Sequence, residues 1–200
     1  MPTTIETPHG PARVHLREVK GARAALVLGH GAGGGVGSPD LVGTADAANE
    51  AGLSVALVEQ PYRVAGRRAP APAAQLDAAW VAVVSQLFSG LPLIAGGRSL
   101  GARVACRTAG EVGAIAVLCL AFPVHPPGRP EKSRLAELDA VEVQILVVQG
   151  ESDPFGLPPS APNRTVVTIP GTHSLRSSTA VAAVVSDWLA GIRTDIPLQN

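Results

Sequence analysis

The sequence predicts an α/β fold with a mostly parallel central sheet and helices on both faces. Short apolar runs of strand length recur along the chain, and segments with helical spacing separate them. The runs are apolar throughout rather than alternating, which is typical of parallel strands buried on both sides. Ligands of such folds bind at the carboxyl ends of the strands, so the loops at that edge are the first place to look for a site.

The elements follow in a regular β-α order. The segment 4–19 alternates weakly between apolar and polar residues, which favours one or two antiparallel strands at the edge of the sheet. The other strands are predicted at 24–28, 53–58, 91–95, 114–120, 144–148 and 165–169. Helical spacing predicts helices over 39–51, 73–88, 100–109 and 177–192, with a short one near 131–138.

The length, composition and charge limit the classes of protein to which this chain can belong. A length of 200 residues fits one domain over 1–200, and 46% hydrophobic against 16% charged residues argues against disorder. The formal net charge is zero and no long basic run is present, so we expect neither a nucleic acid nor a membrane as partner. The first residues lack the features of a secretion signal, and no apolar run is long enough to span a bilayer. We therefore expect a cytoplasmic protein, and leave open whether it forms a homo-oligomer.

Neither a metal nor a cofactor is expected. The two cysteines, Cys106 and Cys119, lie in apolar surroundings, which favours buried free thiols over a disulfide. The five histidines lack the spacing of a metal site and have no Cys-x-x-Cys partner.

The segment Gly97-Arg98-Ser99-Leu100-Gly101 lies between a predicted strand and a predicted helix. A serine between two glycines at this position fits a nucleophile elbow, a sharp turn that exposes the serine hydroxyl at the edge of the sheet. The turn leaves no room for Cβ atoms two residues either side of the serine, which explains the glycines. A phosphate-binding turn is the alternative, but neither Gly-x-Gly-x-x-Gly nor a Walker motif surrounds Ser99.

A nucleophilic serine needs a base and a carboxylate that orients the base. His173 lies directly after the last predicted strand and before the last helix, which makes it the candidate base. Asp153 lies shortly after the strand 144–148 and is the candidate acid, although an Asp-Pro turn is the simpler interpretation. Asp139 is a poorer rival because it precedes that strand.

The oxyanion of an acyl-transfer intermediate needs two backbone N–H groups. One is commonly that of the residue after the nucleophile, here Leu100. The other comes from the loop after the first central strand, where His30-Gly-Ala-Gly-Gly-Gly makes Ala32 the candidate. We interpret His30 as a residue that holds this loop by hydrogen bonds rather than as a catalytic group.

These motifs together resemble the α/β-hydrolase superfamily, in which the nucleophile, acid and base also occur in the order Ser, Asp, His. Within it, the chain is similar to the short, lidless dienelactone-hydrolase-like group and to the testis-expressed hydrolase-like type. The residues that carry this likeness are Gly29-His-Gly-Ala-Gly-Gly, Pro61-Tyr62, Gly97-Arg-Ser-Leu-Gly, Phe122-Pro-Val-His-Pro-Pro-Gly-Arg-Pro-Glu and Asp153-Pro-Phe-Gly. The resemblance implies a serine hydrolase fold with a sheet of eight strands or slightly fewer. Dienelactone hydrolase itself uses cysteine where Ser99 stands, so its lactone specificity is not transferred.

Four further residues are candidates for contact with substrate, namely Gly31, Tyr62, Arg98 and His125. Arg98 either meets an anionic group of the substrate or pairs with a loop carboxylate such as Glu59. Tyr62 either borders the cleft or packs in the core, and His125 either lines the site or caps the prolines around it.

We therefore expect a hydrolase of small carboxylic ester or thioester substrates that uses Ser99, His173 and Asp153 and forms an acyl-enzyme. The 23 residues between Leu120 and Gln144 are too few for a lid domain, so the site is expected to be open. Two alternatives remain. One is a catalytically idle fold that serves as a binding or scaffold protein, and the other is an acyltransferase or perhydrolase with the same triad.

Overall fold

The computed structural model describes residues 1–194, and its centre is one eight-stranded sheet. The strands are β1 (Thr3–Ile5), β2 (Ala12–Arg17), β3 (Ala24–Gly29), β4 (Leu53–Glu59), β5 (Leu93–Arg98), β6 (Ala114–Leu120), β7 (Gln144–Gly150) and β8 (Arg164–Ile169). The helices are α1 (Pro39–Glu50), α2 (Pro61–Val64), α3 (Ala73–Val84), α4 (Leu100–Thr108), α5 (Leu135–Asp139) and α6 (Ser178–Gly191).

The sheet has the order β1-β2-β4-β3-β5-β6-β7-β8. Strands β3 to β8 pair in parallel, whereas β1 and β2 pair with each other antiparallel and β2 pairs antiparallel with β4. The segment 4–19 therefore forms the two antiparallel edge strands that its weak alternation predicts. The mostly parallel sheet with helices on both faces is confirmed.

Two hydrophobic cores lie on opposite faces of the sheet. On one face α3, α4 and α5 pack against side chains such as Val27, and on the other α1 and α6 pack against Leu26 and Leu28. Neighbouring residues of β3 therefore point into different cores, as the period of a strand requires. This double burial explains why the central strands are apolar at every position.

Some element bounds differ from the predicted ones. Strand β5 starts two residues late and continues through Gly96 and Gly97 to Arg98. A Cβ on Gly97 would meet the backbone of Gly101, so this glycine lets α4 lie close to the sheet. Helix α3 ends at Val84 rather than at residue 88, where the side chain of Ser85 bonds back to the carbonyl of Ala82 and competes with the helix. The short helix α2 was not predicted, and α5 starts at Leu135 rather than at 131.

In the described part of the chain, no lid covers the sheet edge. The 23 residues between β6 and β7 contain one short helix, α5. The loops after β3, β5, β7 and β8 meet at the carboxyl edge, where they carry His30, Ser99, Asp153 and His173. Within residues 1–194, no helix has both the length and the apolar character needed to cross a lipid bilayer.

The two cysteines are buried free thiols, as predicted, with their sulfur atoms 3.5 Å apart. Cys106 lies on α4 and Cys119 on β6. The hydrogen bond with Cys106 and complete burial raise the pKa of Cys119, which favours the unreactive thiol.

Candidate active site

Ser99 forms a sharp turn between β5 and α4. Its backbone has φ 51° and ψ −104°, a conformation that L-residues rarely adopt and that costs about 1–3 kcal/mol. The N–H of Ser99 donates to the carbonyl oxygen of Leu120 over 2.9 Å, which fixes the turn to the neighbouring strand. The serine is partly exposed. Its strained backbone is therefore held by β-sheet pairing on one side and by a helix on the other.

The glycines around Ser99 let α4 begin directly on the sheet. A Cβ on Gly101 would overlap the carbonyl group of Gly29, and a Cβ on Gly97 would lie 2.5 Å from the same oxygen. Backbone atoms cannot move aside as a flexible side chain can. The structure thus shows the steric reason for glycine two residues before and two residues after the serine.

Ser99, His173 and Asp153 form one chain of hydrogen bonds. The Oγ of Ser99 lies 2.9 Å from Nε2 of His173, and Nδ1 of His173 lies 2.9 Å from Oδ2 of Asp153. If Nδ1 carries the proton, it donates to the carboxylate and leaves Nε2 free to accept the proton of the serine. This arrangement can activate an alcohol for attack on a carbonyl carbon.

The carboxylate of Asp153 is held by two further donors. Its side chain is fully buried, and it accepts from the side-chain amide of Gln149 over 2.8 Å and from the N–H of Phe155 over 2.8 Å. The same Gln149 nitrogen lies 3.0 Å from the carbonyl oxygen of Phe122. Sequence reasoning missed Gln149, although a polar residue at the end of the apolar strand Gln144–Gly150 is a detectable signal.

Phe155 packs against the imidazole of His173. The two ring centroids are 4.1 Å apart and the planes are inclined by 30°. The Asp153-Pro-Phe-Gly segment therefore supplies both the carboxylate and an apolar surface for the same histidine. The aromatic contact depends on the path of the loop after β7, which the sequence pattern does not show.

The loop after β3 is fixed on both sides of Ala32. Nδ1 of His30 lies 2.8 Å from the carbonyl oxygen of Gly31, and Nε2 of His30 accepts from the N–H of Gln60 over 3.1 Å. The hydroxyl of Tyr62 donates to the carbonyl oxygen of Ala32 over 3.1 Å. Both ring nitrogens of His30 thus contact the backbone, in agreement with a residue that holds the loop.

Burial changes the pKa of both His30 and Tyr62. His30 is almost fully buried, and burial lowers its pKa, which favours the neutral imidazole that can accept from Gln60. Burial raises the pKa of Tyr62 to about 12, so its hydroxyl stays protonated and donates at neutral pH. Tyr62 is buried in one of the hydrophobic cores, as the packing alternative predicts, and its hydroxyl also supports this loop.

Arg98 pairs with a carboxylate, as one alternative predicted, but the prediction that Glu59 is the partner is wrong. Its Nε donates to Asp40 over 2.7 Å, and a second guanidinium nitrogen donates to the carbonyl oxygen of His173 over 3.0 Å. Asp40 lies in the first turn of α1, which folds over this end of the sheet. Glu59 instead lies 3.2 Å from Arg13 on the neighbouring strand β2. Arg98 thereby joins the nucleophile strand, α1 and the loop of the candidate base.

Gly31 and His125 occupy different surroundings. Gly31 is buried, and a Cβ there would lie 2.8 Å from the guanidinium of Arg98. Nδ1 of His125 lies 2.9 Å from the carbonyl oxygen of Pro126, and the His125 backbone N–H donates to Phe155 over 3.0 Å. His125 therefore supports the loop that carries Phe155.

A family model for the alpha/beta hydrolase domain matches residues 22–176 of the chain. No curated protein matches the sequence. Among solved structures, the chain is similar to a lidless alpha/beta serine hydrolase from Xanthomonas campestris, with 20% identity, a TM-score of 0.75 and 96% of each chain covered.

Two other solved structures have a similar fold. A dienelactone hydrolase from Anabaena variabilis shares 20% identity over 95% of this chain and 96% of its own, with a TM-score of 0.76. Est1E from Butyrivibrio proteoclasticus, solved with ferulic acid bound, shares 18% identity over 94% of this chain and 98% of its own, with a TM-score of 0.74. The family match spans all the candidate residues described above, and the chain therefore belongs to the alpha/beta hydrolase domain family.

Proposed function

We propose that the protein is a serine hydrolase of small carboxylic ester or thioester substrates. The observation that supports this proposal is the continuous hydrogen-bond chain from Ser99 through His173 to Asp153, with both distances at 2.9 Å. His173 takes the proton of Ser99 as its Oγ attacks the carbonyl carbon. It then gives that proton to the leaving alcohol or thiol, and water releases the acyl group in the second half of the reaction.

The N–H groups of Leu100 and Ala32 hold the oxyanion in this mechanism. Leu100 is the first residue of α4, where a backbone N–H has no partner inside the helix. Ala32 follows a peptide carbonyl that contacts His30, and its own carbonyl accepts from Tyr62, so the peptide groups on both sides of it are fixed. Donors that are oriented before the reaction stabilise the charge that develops in the transition state.

The open sheet edge favours small substrates. The segment between β6 and β7 is too short to close over Ser99, and the serine is partly exposed. Est1E, a structural neighbour, binds ferulic acid, a small carboxylic acid. That observation supports a small acyl group here.

Hydrolysis of p-nitrophenyl acetate and butyrate tests the proposal. We expect Ser99→Ala and His173→Ala each to lower kcat by up to about 10⁶-fold. Ser152→Ala is the matched control, because it removes an exposed hydroxyl next to the Asp153 loop. Equal rates for the wild type and Ser99→Ala would overturn the proposal.

Acyl transfer to an acceptor other than water remains the second candidate, because the same residues serve both reactions. Adding an alcohol or hydrogen peroxide to the ester assay separates the two. A rate that depends on the acceptor and is close to zero in water alone would favour the transferase. The scaffold alternative does not require Ser99 and His173 to stay within hydrogen-bond reach, and the observed 2.9 Å therefore argues against it.

A further inference from the structure

Three arginines follow β4 within ten residues and have no carboxylate partner among the described residues. These are Arg63, in the last turn of α2, and Arg67 and Arg68, in the loop between α2 and α3. Elsewhere in residues 1–194, six arginines pair with a carboxylate, namely Arg13, Arg17, Arg98, Arg103, Arg107 and Arg164. The loop after β4 thus concentrates positive charge that the protein does not neutralise itself.

The backbone of Arg67 is held in place by the end of α2. Gly66 has φ 74°, its N–H donates to the carbonyl of Arg63, and the N–H of Arg67 donates to the carbonyl of Tyr62 over 2.9 Å. This pair of bonds around a left-handed glycine is a Schellman motif, which ends a helix at a defined residue. Pro70 and Pro72 further restrict the backbone beyond it. The loop therefore presents its cations at fixed backbone positions.

Two neighbouring cavities lie against this loop, with volumes of about 90 and 480 Å³. They share four lining residues, Tyr62, Arg67, Ala71 and Gln75, and Arg68 lines the larger one. Among the described residues, no aspartate or glutamate lines either cavity. We call these two cavities together the arginine cleft.

A cavity elsewhere contains acidic side chains. It has a volume of about 790 Å³ and lies near the amino ends of β6 and β7, where Asp77, Glu111, Glu137 and Glu142 line it together with Arg107. Ser99 is at the carboxyl end of β5, a strand length of about 20 Å away. The lack of acidic lining in the arginine cleft is therefore not a general property of the surface.

The arginine cleft lies close to the oxyanion loop. Tyr62 lines it and donates to the carbonyl of Ala32 over 3.1 Å. The sheet order places β4 two strands from β5, so the carboxyl ends of these strands are about 9–10 Å apart. An extended ligand of about eight bonds spans the distance between the carboxyl ends of β4 and β5.

We propose that the arginine cleft binds an anionic group of the substrate, a carboxylate or a phosphate, about 10 Å from the scissile carbonyl. Guanidinium groups form paired hydrogen bonds to both kinds of anion, and no neighbouring carboxylate competes for them here. This inference rests on the proposed ester hydrolysis and specifies its substrate class. Acidic esters are then preferred over neutral ones of the same length.

The kinetic test compares the p-nitrophenyl half-ester of suberic acid with its neutral methyl-capped form. We expect kcat/KM to be about tenfold higher for the anionic ester at low salt and this preference to shrink as salt screens the charges. Arg67→Ala/Arg68→Ala removes the preference and leaves the rate with the methyl-capped ester within about twofold. Lys20→Ala, which removes an exposed cation at the opposite edge of the sheet, keeps the preference. A phosphonate-ended ester of the same length shows which anion is favoured.

A binding test shows whether the arginine cleft binds anions, independently of turnover. The Ser99→Ala protein is titrated with suberate and with inorganic pyrophosphate by NMR. Salt-sensitive binding that is lost when Arg67→Ala/Arg68→Ala is added supports the proposal. No binding of either anion at about 10 mM, or equal binding without the arginines, overturns it. If the wild type hydrolyses no ester at all, the proposed function fails, while this titration still decides whether the cleft binds anions.

Discussion

Replacing Gly101 with alanine tests the steric basis of the elbow. The added Cβ would overlap the carbonyl of Gly29, so α4 or β3 must shift. Overpacking of this kind lowers the free energy of unfolding by up to about 3 kcal/mol. The better helix propensity of alanine offsets up to about 1 kcal/mol of this loss. We expect a net loss of about 2 kcal/mol in the free energy of unfolding, which lowers Tm by about 4–8 °C in a domain of this size.

The same shift displaces Ser99 and Leu100, since both lie at the start of α4. A displacement of about 1 Å lowers the rate of ester hydrolysis by about 100-fold. Thermal unfolding followed by circular dichroism and hydrolysis of p-nitrophenyl butyrate measure the two effects.

Gly110→Ala is the matched control. A Cβ at Gly110 meets no atom within 4 Å, and its φ lies outside the left-handed region. We expect Tm to stay the same or rise slightly, with the ester rate unchanged. The steric reasoning is wrong if Gly101→Ala unfolds within about 1 °C of the wild type and keeps its full ester rate.

Three further predictions concern the side chains around the site. Tyr62→Phe removes one hydrogen bond to the oxyanion loop, so kcat for ester hydrolysis falls about tenfold while KM stays nearly constant; an unchanged kcat would contradict this role. Gln149→Glu places a second carboxylate beside Asp153, so we expect the free energy of unfolding measured with urea to fall by about 2 kcal/mol or more at neutral pH. This loss shrinks below about pH 5, where the added carboxyl group becomes protonated. The control Gln144→Glu, at the exposed start of β7, has little effect. Burial lowers the pKa of His30 below its unfolded value of 6.5, so the neutral ring stabilises the fold fully above that pH and the contribution is lost as pH falls through the folded pKa. The stability difference between the wild type and His30→Gln should therefore decrease below pH 6.5, and a constant difference from about pH 8 to 5 would contradict the reasoning.

The fold and the central residues of the site could be predicted because they depend on local patterns and chain order. The apolar runs predicted the parallel strands, since strands covered on both faces have no polar side. Ser99 lies between a strand and a helix, and His173 follows the last strand. The carboxyl ends of parallel strands share one edge, so these two residues, 74 positions apart, had to lie near each other.

The partners of these residues could not be predicted, because they depend on how loops and helices pack. Asp40 became the partner of Arg98 only because the first turn of α1 folds over the end of β5. Glu59 lies at the end of β4, a suitable position for a partner of Arg98, but the antiparallel strand β2 places Arg13 beside Glu59 instead. The contact of Phe155 with His173 likewise requires the path of the loop after β7.

The roles of Ala32 and Leu100 as oxyanion donors are predictions that follow from this geometry. Their peptide groups lie on the two loops that flank the candidate nucleophile, after β3 and after β5. Testing them needs substitutions that alter backbone orientation, and Tyr62→Phe is the mildest of these because it keeps the ring in place.

The central claim is that Ser99 is an activated nucleophile. Mass spectrometry of the intact protein and of its peptides after reaction with a fluorophosphonate tests this most directly. The mechanism predicts a single adduct on the peptide that contains Ser99, formed far more slowly by His173→Ala and absent from Ser99→Ala. The absence of an adduct in the wild type, or an adduct on a different residue, would contradict it.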